Sequence, residues 1–313
     1  MIIIKGMVLE PGRYLPTVAA LGLLAVAAVG CDRQPPWATD QAKLQIIVSI
    51  APQAWLVKQI GGERVRVMTV VRSGQSPVTY QPSDAQVSEL MRSAAYFSIG
   101  VPFERGAWFT AITRSQQVHI VKTREGITLR QVRSSLETGP DHAHHDGHLH
   151  DNGKDPHIWT SPQLLILQAR TIAKTLSELD LPHAPHYLGN LSVLESKLTD
   201  LHEQLSNKLK PLKGHVFFVF HPSWGYFADA YGLRQMAIEI EGKEPTDHEL
   251  TQLLKVAREH DVKVIFVQPQ VSGRAAESIA RATGAKVQTL DPLAENIVAT
   301  LQHMAETLAR WSL

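Results

Sequence analysis

Leu191-Ser192-Val193-Leu194-Glu195-Ser196-Lys197-Leu198-Thr199-Asp200-Leu201-His202-Glu203-Gln204-Leu205 sets leucine at steps of three and four, and Leu209 and Leu212 continue the series. That spacing gives a helix one apolar stripe. Pro185 suits a first turn, so the helix is expected over 185–212, and at about 1.5 Å per residue it spans roughly 40 Å. A stripe of about four heptads also fits a coiled-coil dimer. The preferred reading is a single backbone helix in a monomer, joining two similar halves. Short β-rich runs flank it: Leu44–Ile50, Arg66–Val71, Ala95–Gly100 and Val118–Lys122 before, His215–Phe220, Gln235–Ile240, Lys263–Gln268 and Lys286–Leu290 after. Helical patterns separate most of them. One runs from Ser83 to Ala94, with a capping-box signal at Ser83 and Gln86. Strand–helix alternation predicts an α/β protein of two lobes, each a mainly parallel four-stranded sheet flanked by helices, with a ligand cleft between them.

The expected organisation is a leader over 1–30, a tether over 31–43, a first lobe over 44–184, the linking helix over 185–212 and a second lobe over 213–313. In the leader, Lys5 and Arg13 precede the apolar run Val18–Val29, which ends at Gly30-Cys31. A charged region, a short apolar core and a small-residue cleavage site make a secretory signal. The run is short for a membrane span. Cys31 is the single cysteine of the chain, which excludes an intramolecular disulfide. Its position after Ala28-Val29-Gly30 resembles a lipobox, which implies lipidation at Cys31 and a lipid-anchored, extracytoplasmic protein; an ordinary signal peptide cut nearby is the alternative. Lys plus Arg number 31 against 30 Asp plus Glu, a formal net charge of +1, and there is no basic stripe of the kind that marks nucleic-acid binding.

Metal chemistry is concentrated in Asp141–His157, DHAHHDGHLHDNGKDPH. Neutral imidazole is the commonest metal ligand, so His142, His144, His145, His148 and His150 are candidate auxiliary ligands in a His-rich loop over 141–154. The same stretch also reads as a solvated loop of no great affinity. In open parallel sheets ligands bind beyond the carboxyl ends of the strands. His221 directly follows the run ending at Phe220, and Asp291 directly follows the run ending at Leu290. With His157 from the first lobe they would form a metal site of two imidazoles and one carboxylate, suited to zinc, manganese or iron.

Six segments resemble, in order, the substrate-binding lipoproteins of bacterial ABC importers for zinc and manganese. They are Ser76-Pro77-Val78-Thr79-Tyr80-Gln81-Pro82-Ser83, Ile99-Gly100-Val101-Pro102-Phe103-Glu104, Asp155-Pro156-His157-Ile158-Trp159, His221-Pro222-Ser223-Trp224-Gly225-Tyr226-Phe227, Ile238–Pro245 and Leu290-Asp291-Pro292-Leu293. The resemblance implies capture of a divalent metal outside the cytoplasmic membrane and delivery to an ABC permease. It also implies that His157, His221 and Asp291 are ligands. Where the family usually has a fourth ligand, histidine, this chain has Val78. A loop histidine, water, or a carboxylate such as Glu239 or Glu241 could fill that position, or tight binding could be lost. The histidine-rich loop favours Zn2+, with Mn2+ the alternative.

Two other classes compete. Three ligands with an open position also describe a catalytic zinc site, but no His-Glu-x-x-His segment and no placed general base support a hydrolase. A metal-buffering or adhesin-like surface lipoprotein would share the fold. Trp159, Trp224, Tyr226 and Phe227 are expected to pack the cleft walls, and Glu104 and Arg105 to make surface or interlobe contacts.

Overall fold

Buried strands of almost unbroken apolar composition are the seeds of both halves. A computed structural model describes residues 43–132, 153–239, 242–271 and 273–311. The first half contains β1 (Leu44–Val48), α1 (Ala51–Gly61), β2 (Val65–Thr69), α2 (Asp84–Leu90), β3 (Ala95–Ser98), α3 (Ala107–Ser115) and β4 (Ile120–Lys122). Two helices follow, α4 (Pro162–Leu179) and α5 (Ala184–Leu209). The second half contains β5 (Val216–Val219), α6 (Gly225–Tyr231), β6 (Arg234–Ala237), α7 (Asp247–Glu259), β7 (Val264–Val267), α8 (Arg274–Thr283), β8 (Lys286–Thr289) and α9 (Ile297–Trp311). All eight expected strands form, most with shorter ends. The leader, Cys31 and the loop histidines lie outside the described residues. Among the described residues no helix is long and apolar enough to cross a membrane.

The sheets repeat one topology. Their orders are β2-β1-β3-β4 and β6-β5-β7-β8, and every pairing is parallel. β3, β5 and β7 are buried at every residue, as parallel strands covered on both faces must be. In each sheet the order reverses beside the first strand, so a crevice opens beyond the carboxyl ends of β1 and β3, and of β5 and β7.

α5 buries Leu194, Leu198, Leu201, Leu205 and Leu209, and packs against α1, α4, α6 and α9. The leucine stripe is therefore used up inside one chain rather than in a coiled-coil seam. One continuous apolar core includes β1 and β3, α4, α5, α9 and the Phe217, Val219 and Phe266 face of the second sheet. The opposite face of that sheet, with Phe218 and Ile265, makes a separate core with Leu253, Ala257, Ala276 and Ile279. Close-packed interiors have few alternative arrangements, so a shared core holds the halves at a set angle. The expected helix over Ser83–Ala94 is shorter and stops at Leu90. Its capping box is present: the Gln86 backbone N–H donates to Ser83 Oγ at 3.4 Å, and Ser83 N–H donates to Gln86 Oε1 at 3.0 Å.

Candidate metal centre

His221 lies two residues beyond the end of β5, and its backbone N–H donates to Gln268 Oε1 just past the end of β7. The turn Pro222–Trp224 then leads into α6. His157 arrives differently, from the segment entering a short 3₁₀ turn, Ile158–Thr160, ahead of α4. Thr160 Oγ1 donates to the His157 carbonyl, and Trp159 Nε1 donates to the Pro292 carbonyl at 2.7 Å, tying this turn to the second lobe.

The two imidazoles meet. Their Nε2 atoms are 3.3 Å apart and their ring centroids 5.1 Å apart. Each ring has a carboxylate on its other nitrogen: Asp155 Oδ1 is 2.7 Å from His157 Nδ1, and Glu239 Oε1 is 2.6 Å from His221 Nδ1. A carboxylate accepts, so each Nδ1 carries a proton, and when both rings are neutral each Nε2 presents a lone pair to the other. Two facing lone pairs repel unless a cation lies between them. Zinc–nitrogen bonds of about 2.05 Å at a tetrahedral angle separate two nitrogens by about 3.3–3.4 Å. The observed spacing matches that edge.

Asp155 is completely buried and His157 is 7 % exposed. Burial lowers the His157 pKa, and the adjacent Asp155 carboxylate only partly opposes it. Burial alone would raise the Asp155 carboxyl. The His157 charge, the hydrogen bonds from its ring and backbone N–H, and Arg130 outweigh it and hold the group below the usual range. Near neutrality His157 is uncharged, so what keeps Asp155 ionised there is the hydrogen bonding and Arg130.

A cavity of about 220 Å³ adjoins both imidazoles. Ser76, Val78, Val101, Glu239, Gln268 and Gln270 are among its walls. Val78 thus lines this cavity, where the resemblance implied an imidazole. Asp291 is not among the lining residues. Its Oδ1 accepts from Gln270 Nε2 and from Leu293 N–H, both at 2.9 Å, and it borders a neighbouring recess with Ile50, Ala51 and Arg72. Among the described residues no three His, Cys, Asp or Glu side chains are grouped closely enough to hold an ion. The structure brings His157 and His221 together, while Asp291 is bonded to Gln270, a residue of the cavity wall.

Asp155 was legible only as part of a motif. Its signal is an acidic side chain two residues before a ligand candidate, which orients the ring as outer partners of metal-bound histidine do. Glu239, weighed as a ligand, is the corresponding partner of His221; Glu241 lies outside the described residues. Glu104 corrects an expectation. It is 5 % exposed, not a surface or interlobe contact. It accepts from Ser49 Oγ, from Tyr96 OH at 3.0 Å, and from the Ile99 and Gly100 N–H groups at 3.1 and 2.6 Å. Burial pushes its carboxyl up against those donors. It joins the carboxyl ends of β1 and β3, where a surface role would leave the Ile99 and Gly100 N–H groups without this acceptor. Trp159, Trp224 and Phe227 are fully buried and Tyr226 nearly so, as packing residues should be.

Known proteins share this architecture. A family described as "ZnuA: Zinc-uptake complex component A periplasmic" matches residues 46–311. A metal ABC transporter substrate-binding lipoprotein of Lactococcus lactis is 26% identical over 278 residues, 87% of this chain and 86% of its own. The zinc-binding protein AdcA of Streptococcus pyogenes is 24% identical over 264 residues, 81% of this chain but 51% of AdcA, so this chain spans about half of that relative. Among solved structures, ZnuA superposes with a TM-score of 0.77 at 36% identity, covering 87% of this chain and 100% of that one. A ZnuA deletion mutant with zinc bound gives 0.75 at 37% identity, covering 85% and 97%. The doubled parallel sheet and the linking helix agree with these matches, and the chain belongs to the family of zinc-uptake complex component A.

Proposed function

We propose that this protein captures zinc outside the cytoplasmic membrane and hands it to an ABC permease. The observation that carries the reading is the pair of Nε2 atoms 3.3 Å apart, each ring held by its own carboxylate. Membership of the family makes the chain a carrier component rather than an enzyme. Two neutral nitrogens suit zinc better than manganese, which takes more oxygen donors. Asp291 is the third ligand in this reading, drawn from its bond with Gln270 when the ion arrives. The fourth position, which Val78 cannot supply, falls to water or to an imidazole among His142, His144, His145, His148 and His150. Zinc bound by a deletion mutant of ZnuA supports the idea that a protein of this architecture can hold the ion with part of its chain removed. Lipidation of Cys31 would keep the carrier at the membrane, and a monomer suffices for the task.

The test is zinc titration of metal-stripped residues 32–313 against a competing chelator, beside a form lacking residues 141–152. One zinc per chain, bound tightly and lost in His221→Ala, is the expected outcome. Retention of tight binding without residues 141–152 assigns the fourth position to water or a carboxylate; its loss assigns it to the loop. No tight zinc site in the intact protein would sink the zinc reading and turn attention to manganese.

A further inference from the structure

Arg130 touches both halves of the site without lining the cavity. It lies in the segment after β4, and its guanidinium is shared between two carboxylates. Nη1 donates to Asp155 Oδ2 at 3.1 Å, while Nε and Nη2 donate to Asp229 Oδ2 and Oδ1 at 2.8 and 3.5 Å. The other oxygen of Asp155 accepts from the His157 ring. Asp229 belongs to α6, the helix that begins four residues after His221. One planar cation therefore joins the partner of the first imidazole to the element that follows the second.

The backbone repeats the link. Asp155 N–H donates to the Arg130 carbonyl at 2.9 Å, while Arg130 N–H donates to the Tyr226 hydroxyl at 3.1 Å. That hydroxyl in turn donates to the Asp155 carbonyl at 2.8 Å, so a side chain of α6 is threaded into the Arg130–Asp155 pairing. Gly225, at the start of α6, makes room for the guanidinium. A Cβ there would stand 1.5 Å from Arg130 Nη1 and 2.9 Å from Asp155 Oδ2. The glycine is needed for close approach and not for a special backbone angle.

We propose that Arg130 is a positioning residue: it clamps α6 of the second lobe to Asp155 of the first and thereby sets the separation of the His157 and His221 Nε2 atoms. A solvent-exposed ion pair of this kind would contribute little, but Asp155 is fully buried and the guanidinium mostly so. The shape of the cation matters as much as its charge, because a lysine ammonium cannot fork between two carboxylates from the same place. The inference rests on the zinc reading and adds a residue that the cavity itself does not reveal.

Variants separate clamp from scaffold: Arg130→Gln removes the guanidinium from both carboxylates, Asp229→Asn weakens only the second-lobe end at an exposed side chain, and Gly225→Ala displaces the guanidinium without removing a polar group. Zinc affinity should fall about 10–100-fold in Arg130→Gln and Gly225→Ala, the usual range for losing the outer partner of a metal-bound histidine. A smaller loss is expected in Asp229→Asn, and Arg130→Lys should fail to restore wild-type affinity. Cobalt absorption bands, which report ligand geometry, should shift in the same order. Ring nitrogen NMR of the metal-free proteins gives a second readout: the Nδ1–H form of His157 should dominate in wild type and lose population in Arg130→Gln. Variants that merely unfold earlier, with wild-type zinc affinity, cobalt bands and His157 tautomer, would overturn the clamp. If wild type itself binds no zinc, the carrier reading fails first, and the tautomer comparison still decides whether Arg130 positions His157.

Discussion

His157 and His221 reach the same point from unlike scaffolds. His221 stands just past β5, at the edge where a parallel sheet ordinarily offers ligands, and its partner Glu239 itself lines the cavity. His157 comes from a turn outside the first sheet, and its partner Asp155 is sealed from solvent beneath Arg130. The second lobe thus supplies its imidazole by topology, the first by a dedicated network of hydrogen bonds. Where a strand end does the positioning, one carboxylate suffices. Where a turn does it, the carboxylate must be buried and held in its turn.

The largest effect should come from removing either ring. With about 10–16 kcal/mol shared among four ligands in a structural zinc site, each is worth about 3 kcal/mol, or roughly 100-fold in affinity. His157→Ala and His221→Ala should each lose at least that much in a chelator competition. A loss confined to one of them would mean that the rings do not share an ion.

Next come the partners. Asp155→Asn should weaken zinc toward the upper end of the 10–100-fold range, and Glu239→Gln toward the lower end, because Glu239 borders the cavity and water can take over its role. Equal losses measured by isothermal titration would erase the contrast between the two arms. Val78→His works in the opposite direction. Restoring an imidazole on the first-lobe wall should tighten zinc by about tenfold and reduce any dependence on residues 141–152. An unchanged affinity would show that the fourth position is already filled.

The smallest effect concerns stability rather than metal. Asp180, at the junction of α4 and α5, is partly desolvated, which raises its carboxyl. Hydrogen bonds from Tyr187, His183 and Arg64 outweigh that and bring it down to about 2. The native pKa lies below the unfolded one, so the stabilisation is complete above about pH 4 and is lost as pH falls through about 2. After allowing for solvent screening it amounts to about 1–2 kcal/mol. Chemical denaturation of Asp180→Asn beside wild type should show that difference at pH 6 and its disappearance near pH 2. Since this cluster ties the first lobe to the start of α5 and includes no second-lobe residue, zinc affinity at neutral pH should not follow it.

Much of this molecule is written in local pattern. β5 and β7 are unbroken apolar runs, and the leucines of α5 recur at helical spacing, so element types can be read from neighbours in the chain. Their limits drift by a few residues, as at α2, which stops at Leu90 because Met91–Ser93 turns the chain back toward β3. The imidazoles were legible too, since His221 follows a strand and His157 sits in an ordered motif beside a histidine-rich tract. The bond between Asp291 and Gln270, the burial of Glu104 under four donors and the double duty of Arg130 were not. Each depends on groups brought together only by packing, such as Arg130 and Asp229, which are 99 residues apart in the chain.

Periodicity and composition were thus enough for two parallel α/β lobes, one linking helix and a pair of candidate histidines, because short-range sterics and hydrophobic spacing act on neighbouring residues. The angle between the lobes, the 3.3 Å between the rings and the choice of which carboxylate orients rather than binds emerged only on folding. They are set by a shared core and by hydrogen bonds between distant segments, whose energies depend on burial and direction that no run of residues contains.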